Sequence, residues 1–285
     1  MQHPTRNPSP AAGVETMHIA SLAAGVPIGS HTLGRIGPLE VRLARNEAER
    51  AAAQEVRYKV FFEEQGSCAD RLEAVDRRDS DRFDAVCDHV LVFDQSLGGD
   101  ERQRIVGTYR LLRAEGAAIA GGFYSEEEFE ISALTRRGGG FLELGRSCVL
   151  PAYRSKRTIE VLWQGIWAYV RHYGISVMGG CASFRGTVPV EHAQALSFLA
   201  HNCRADDTYA VRALPHRYQP MDLMPAEAVD LRSAFQRMPP LIKGYLRLGA
   251  SIGDGCVIDA DFGTVDVFVI MPVSAIGQRY ISYYS

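Results

Sequence analysis

Phe141-Leu-Glu-Leu-Gly-Arg-Ser-Cys-Val-Leu-Pro-Ala-Tyr-Arg154 is an apolar run with one acid, Glu143, and one base, Arg146, that breaks at Pro151. A basic segment, Arg154-Ser-Lys-Arg157, comes next, and then apolar residues at helical spacing: Ile159, Leu162, Trp163, Ile166, Trp167 and Val170. This order predicts a buried strand over 141–149, a positively charged turn and a helix over 158–173. A helix N-terminus behind such a turn presents free N–H groups and a positive dipole end to an anion, which suits a phosphorylated carrier.

Upstream, Leu39-Glu-Val-Arg-Leu-Ala44 alternates apolar and charged residues and predicts a half-buried strand. Residues 46–65 read as a helix capped by Asn46. A charged loop holds Asp70, Asp76, Asp79, Asp81 and Asp84. His89–Phe93 and Arg104–Leu112, joined through Gly98-Gly99-Asp100, predict a hairpin over 88–113. Phe129 falls near the end of an acidic helix or turn. Downstream lie a second apolar run over Ile175–Phe184, a helix over 190–201, a strand over Val211–Tyr218 and a strand over Thr264–Ile270. Helices and strands alternate around a central sheet, so the class is α/β or α+β, in one domain over 38–285. Residues 1–37, rich in Pro, Ala, Gly and Ser, read as a poorly ordered leader.

With 46% hydrophobic and 23% charged residues, the 285-residue chain has the composition of an ordinary globular protein. A net charge of −3 gives no global case for nucleic acid. Cys68, Cys87, Cys148, Cys181, Cys203 and Cys256 are scattered without a C-x-x-C pair, which argues against a zinc site or a disulfide framework. Reduced, mostly buried thiols in a cytoplasmic protein, and no metal, are the expectation. The longest apolar run, Val265–Val273, contains Asp266 and Pro272 and is too short to cross a bilayer. The N-terminus lacks the basic start and apolar block of a secretory signal.

Four signatures occur in order: Arg57-x-x-x-Phe61, Asp79-x-Asp81-x-Phe83-Asp84, Gly107-x-x-Arg110-Leu111 and Glu143-Leu-Gly-Arg146. On these the chain resembles the acyl-carrier-protein-dependent branch of the GNAT N-acyltransferase superfamily, and acyl-homoserine-lactone synthases carry a very similar series. Tyr153-Arg-Ser with Leu162-Trp-Gln-Gly-Ile166, Pro239 through Gly249, and Asp259-x-Asp-Phe-Gly-Thr-Val-Asp266 bring it closer to ornithine N-alpha-acyltransferases, often labelled hemolysin-like. The resemblance covers about residues 39–272 and implies a GNAT fold, a mixed central sheet with helices on both faces. It departs at the phosphate loop, Arg154-Ser-Lys-Arg-Thr158, which lacks the usual glycines. Close packing of a coenzyme A pyrophosphate is thereby disfavoured, while the single phosphodiester of a carrier arm asks less of the loop.

The implied reaction moves a 3-hydroxyacyl group from the phosphopantetheine thioester of acyl carrier protein to the alpha-amine of L-ornithine, giving lyso-ornithine lipid, with no permanently bound cofactor. A thioester is already activated, so the site must position the amine, take its proton and stabilise an oxyanion. Glu143 is the candidate proton acceptor, against a structural Glu143–Arg146 ion pair; a backbone N–H at Ser147 or Cys148 is the candidate oxyanion donor. On a regular strand positions three apart face opposite sides, so both reach one site only across a bulge. Substrate contacts are expected from Arg57, Phe61, Asp81, Asp84 and Arg110, with Arg146 a further cation for the carboxylate. Arg154, Lys156, Arg157 and Thr158 are expected to meet the acidic carrier. Cys148 reads as an inert thiol, and no residue is identified to protonate the leaving thiolate. The basic, apolar stretch over 231–248 reads as helix packed on the core, with peripheral contact at the inner membrane as an addition. The competing readings are an acyl-homoserine-lactone synthase, an acetyl-coenzyme A GNAT enzyme and a non-enzymatic membrane-active or carrier-binding protein.

Overall fold

The computed structural model describes residues 32–64 and 76–277. In chain order the elements are β1 (Gly34–Ile36), β2 (Leu39–Leu43), α1 (Glu47–Tyr58), β3 (Asp88–Asp94), β4 (Ile105–Arg113), α2 (Ala114–Ala120), β5 (Phe129–Glu130), α3 (Ser132–Thr135) and β6 (Phe141–Val149). Then come α4 (Lys156–Tyr173), β7 (Val177–Arg185), α5 (Ala193–Asn202), β8 (Arg212–Ala213), α6 (Leu231–Arg237), α7 (Pro240–Arg247), β9 (Ser251–Asp259) and β10 (Thr264–Pro272). The strands form one mixed sheet in the order β1-β2-β3-β4-β6-β7-β10-β9-β8-β5.

Alternation along β3 explains why helices cover both faces. Val90 and Val92 pack with the α4 residues Val161, Leu162, Ile166 and Val170, while Leu91 and Phe93 pack with Ala52, Ala53 and Val56 of α1. Burying each such aliphatic side chain contributes roughly 1.5–3 kcal/mol. Helix α1 starts where the Asn46 side chain accepts the Glu49 amide at 3.0 Å. Helix α4 is capped by Ser155 and stops at Gly174, whose φ of 62° ends the helical geometry. Gly165 lets α4 lie on β2, because a Cβ there would come within 2.7 Å of Val41.

Two irregularities in β6 shape everything that follows. Its parallel pairing with β7 runs Phe141↔Val177, Leu142↔Met178, Glu143↔Gly179 and stops there. A Cβ at Gly180 would collide with the Leu144 carbonyl oxygen, so the strands are in contact at the point where they part. Against β4, Cys148 faces Thr108 and Gly145 faces Arg110, which leaves Arg146 and Ser147 opposite Tyr109 alone. That is a bulge, and Arg146 takes a left-handed φ of 50° within it.

Several boundaries differ from the sequence reading. β1 lies within the stretch read as leader, drawn into the sheet by pairing with β2; residues 1–31 are outside the described part. The first helix widens into a π-helical turn at Lys59–Glu64, and Cys68 and Asp70 are also outside the described residues. Helix α4 begins at Lys156, and Ile159, taken as part of its apolar stripe, is exposed. The strand expected over 211–218 shrinks to Arg212–Ala213, followed by a single bridge from Gln219 to Cys256. The segment over 231–248 is helical, as α6 and α7, with Ala234, Ile242 and Tyr245 buried. No helix among the described residues is long and apolar enough to cross a membrane.

Candidate active site

Where β6 and β7 separate, a cavity of about 250 Å³ opens. Its walls include Phe61, Tyr109, Arg110, Tyr124, Ser125, Glu143, Arg146, Ser147, Cys181, Asp259, Phe262 and Asp266. The bulge is what brings both Glu143 and Arg146 to it. Glu143 is only 4% exposed. Its two oxygens accept the amides of Tyr124 at 2.9 Å and Ser125 at 2.8 Å, so the strand acid also caps the 3₁₀ turn over Tyr124–Glu127. Burial pushes its pKa up, and the bonds from Ser125 and Tyr124 offset only part of that rise. A carboxylate has about four lone-pair sites, so these bonds leave room for a proton.

Among the described residues Glu143 makes no ion pair with Arg146. The Arg146 guanidinium instead reaches Asp79 at 3.2 Å and Asp81 at 3.3 Å. It sits 4.8 Å from the Tyr124 ring centroid and 4.6 Å from that of Phe262. Arg110 reaches Asp81 at 2.6 Å and Asp84 at 3.7 Å. Arg57 is fully buried and grips Asp84 with bonds of 2.7 and 2.9 Å, while also donating to the Asp79 carbonyl. Burial pushes the Asp84 carboxyl up, but Arg57, helped by Arg110, outweighs it and holds the group well below the usual carboxylate range. Asp81 is lowered by the same contest, with Arg110 and Arg146 prevailing over burial.

The residues expected to meet substrate therefore divide into two groups. Phe61, Arg110 and Arg146 line the cavity, whereas Arg57, Asp81 and Asp84 lie behind it as the lattice that fixes the two arginines. Ser147 lines the cavity beside Tyr109. The Cys148 side chain does not: it is packed with Ala52, Val56 and Leu91 under α1, and burial pushes its thiol up to about 12. Only its backbone remains available to the site.

None of the four residues assigned to the carrier lines the cavity. Arg154 is paired with Glu64 at 2.6 Å and Lys156 with Glu160 at 3.2 Å. Thr158 is bonded within the helix start: 1% exposed, it donates its hydroxyl to the Tyr153 carbonyl at 2.6 Å and its amide to Ser155 Oγ at 3.3 Å. Arg157 is exposed and makes no ion pair among the described residues.

Sequence reasoning missed the far wall. Asp259 and Asp266 from β9 and β10 line the cavity, with Glu128 close behind Cys181 at 3.4 Å. Burial, followed by the charges of Asp266 and Asp259, raises Glu128 to about 7; burial, opposed by Thr264 and Ser183, raises Asp266 to about 6. The signal available was the run Asp259 through Asp266, which carried resemblance but no role. Tyr109 was also missed. Its hydroxyl is hydrogen-bonded to that of Tyr245, and burial pushes it up to about 12.

Residues 56–164 match the model of an acetyltransferase (GNAT) domain. The chain is 62% identical to an L-ornithine N(alpha)-acyltransferase of Brucella abortus (strain 2308), over 88% of this chain and 90% of that protein. It is 55% identical to the protein of that name from Rhizobium meliloti (strain 1021), over 90% of this chain and 87% of the relative. The counterpart of Rhodobacter capsulatus is 38% identical over 86% of this chain and 94% of its own. Among solved structures, an N-acyl amino acid synthase from uncultured soil microbes covers 86% of this chain and 94% of its own at 12% identity, with a TM-score of 0.47, too distant a likeness to bear on substrate.

Proposed function

The chain belongs to the L-ornithine N(alpha)-acyltransferase family, and from that membership we propose that it moves a 3-hydroxyacyl group from the phosphopantetheine thioester of acyl carrier protein to the α-amine of L-ornithine, giving lyso-ornithine lipid. It is an acyltransferase of the GNAT class. The observation that carries the reading of the chemistry is Glu143, a buried carboxylate of raised pKa lining a cavity at the fork of β6 and β7.

In this reading the neutral amine attacks the thioester carbonyl while its proton passes to Glu143, directly or through water. The C–N bond forms and the carbonyl oxygen becomes an oxyanion, met by a backbone N–H exposed at the bulge near Ser147 or Cys148. Collapse breaks the C–S bond. The departing thiolate takes a proton from Tyr109, which its high pKa keeps protonated and which lines the same cavity. The carboxylate of ornithine is assigned to Arg110 and Arg146, whose planar forks suit it.

The acidic carrier is assigned to the start of α4, where Arg157 stands free of ion pairs among the described residues and Arg154 and Lys156 lie beside Glu64 and Glu160. The amphiphilic product is assigned an exit beside Leu241, which lines the cavity and is 40% exposed; Leu231 and Phe235 of the preceding helix are also exposed. With the exposed Arg232, Arg237 and Arg247 on the same two helices, these residues support peripheral contact with an anionic inner-membrane surface. Incubation of the protein with 3-hydroxyacyl carrier protein and either L-ornithine or S-adenosylmethionine decides the acceptor by product mass. A mass equal to acyl-ornithine supports the reading; an acyl-homoserine lactone, or no product with ornithine, overturns it.

A further inference from the structure

The cavity is sorted by charge. Arg110 and Arg146 stand on the β4–β6 side, each matched by carboxylates of the loop before β3. Across β7 stand Asp259 and Asp266, which have no cation within 4 Å among the described residues, although they are 8% and 6% exposed. Glu128, whose carboxylate lies within 4.8 Å of both the Asp266 carboxylate and the Cys181 sulfur, has among the described residues one cation, Arg217, at 3.2 Å. Local hydrogen bonds satisfy part of this wall: Thr264 donates to Asp266 at 2.7 Å, and the amides of Asp261 and Phe262 donate to Asp259 at 2.9 and 3.1 Å. They supply dipoles and no countercharge. Buried carboxylates lacking a cation are costly, so this wall is short of positive charge that an occupant of the cavity can bring.

Resting on the acceptor reading above, we propose that Asp266 and Asp259, backed by Glu128, hold the second ammonium of a diamino acid and so select which amino acid is acylated. The α-carboxylate then lies toward Arg110 and Arg146 and the α-amine faces Glu143, while the side chain crosses in front of β7 to the acid wall. Cys181 and Ser183, the β7 residues on that path, are both small enough to let it pass. An acceptor without the second ammonium leaves the acid wall unmatched. A site built around a polar substrate group can reject an analogue lacking it by up to roughly 10⁴–10⁵-fold.

The test compares L-ornithine with L-norvaline, which has the same carbon chain without the second amine, using the full chain and 3-hydroxyacyl carrier protein. The wild type is expected to favour ornithine in kcat/KM by about 100-fold or more, and Asp266→Asn to shrink that ratio about tenfold or more, chiefly through the ornithine KM. Asp259→Asn is read in the same way and stands in if the first variant does not fold. Ornithine is also expected to raise the Tm of the wild type and to raise that of either variant less. A wild type that uses both acceptors equally well, or variants that keep the wild-type ratio, overturns the proposal. Those results leave the Glu143 assignment standing; undiminished acylation of both acceptors by Glu143→Gln would remove that assignment and leave the acid wall.

Discussion

Glu143 and Arg146 lie three residues apart on β6 and line one cavity without touching each other. The bulge at Arg146 and Ser147 makes this possible, and it frees the acid from the ion pair that would hold its pKa down.

Replacing Glu143 with Gln is expected to lower kcat by about 10²–10⁴-fold, the usual worth of a general base. The carrier KM is expected to stay unchanged. The amide group must also turn its NH₂ toward one of the two donors at Tyr124 and Ser125, at a cost of about 1–3 kcal/mol. Steady-state kinetics beside a thermal melt separates the two effects; a melt shift with full turnover would make Glu143 purely a cap.

The acid side of the activity profile follows from the same burial. A carboxylate base is inactive when protonated, so kcat/KM is expected to fall as pH drops through a value above the ordinary glutamate pKa of about 4.3. Asp266, raised to about 6, adds to the loss on ornithine because its neutral form attracts no ammonium. Profiles on ornithine and norvaline should differ in that region.

Arg57→Ala is expected to destabilise the fold by about 3–5 kcal/mol, since it strands Asp84 without its partner. The pH dependence has a definite sign. Asp84 is depressed in the folded state, so its stabilisation is complete above the unfolded pKa of about 3.9 and is lost as pH falls below it toward the folded value. Wild-type denaturant midpoints should therefore drop more steeply below about pH 4 than those of Arg57→Ala.

Reversing Arg157 to Glu is expected to raise the carrier KM by about tenfold at low ionic strength and much less near 0.5 M salt, where charges are screened within a few ångströms. Reversing Arg154 also places two acids together at Glu64 and is expected to cost stability as well. A salt-independent KM in both variants would move the carrier elsewhere.

Tyr109→Phe is expected to lower kcat by about 10–100-fold if protonation of the thiolate limits turnover. It also leaves the Tyr245 hydroxyl without its partner. Tyr245→Phe supplies the control, because it breaks the same pair and spares the cavity-lining phenol; equal losses in both would show that only the pair matters.

The strand at 141–149 was legible as an apolar run broken at Pro151, α4 from its helical spacing and α1 from its cap at Asn46, whereas the cap of α4 at Ser155, and with it the helix start, was not read. Glu143 was legible as an acid inside an apolar run. The pairing of Arg146 with Asp79 and Asp81 was not, because nothing in a strand's alternation announces a left-handed residue, and the partners are 67 and 65 positions away. The acid wall escaped for a related reason: Asp259 closes one strand and Asp266 lies in the next, so local pattern reads each as ordinary hairpin polarity. At Thr158 the sequence shows a helix start with amides to offer, but not that its amide is bonded to Ser155 Oγ and its hydroxyl to the Tyr153 carbonyl.

Cys181 lines the cavity, and burial, reinforced by the charge of Glu128, keeps its proton on far past neutral pH. Thiols exchange acyl groups as thiolates. On the proposed reaction the incoming thioester would therefore meet a thiol here, a far weaker nucleophile than a thiolate.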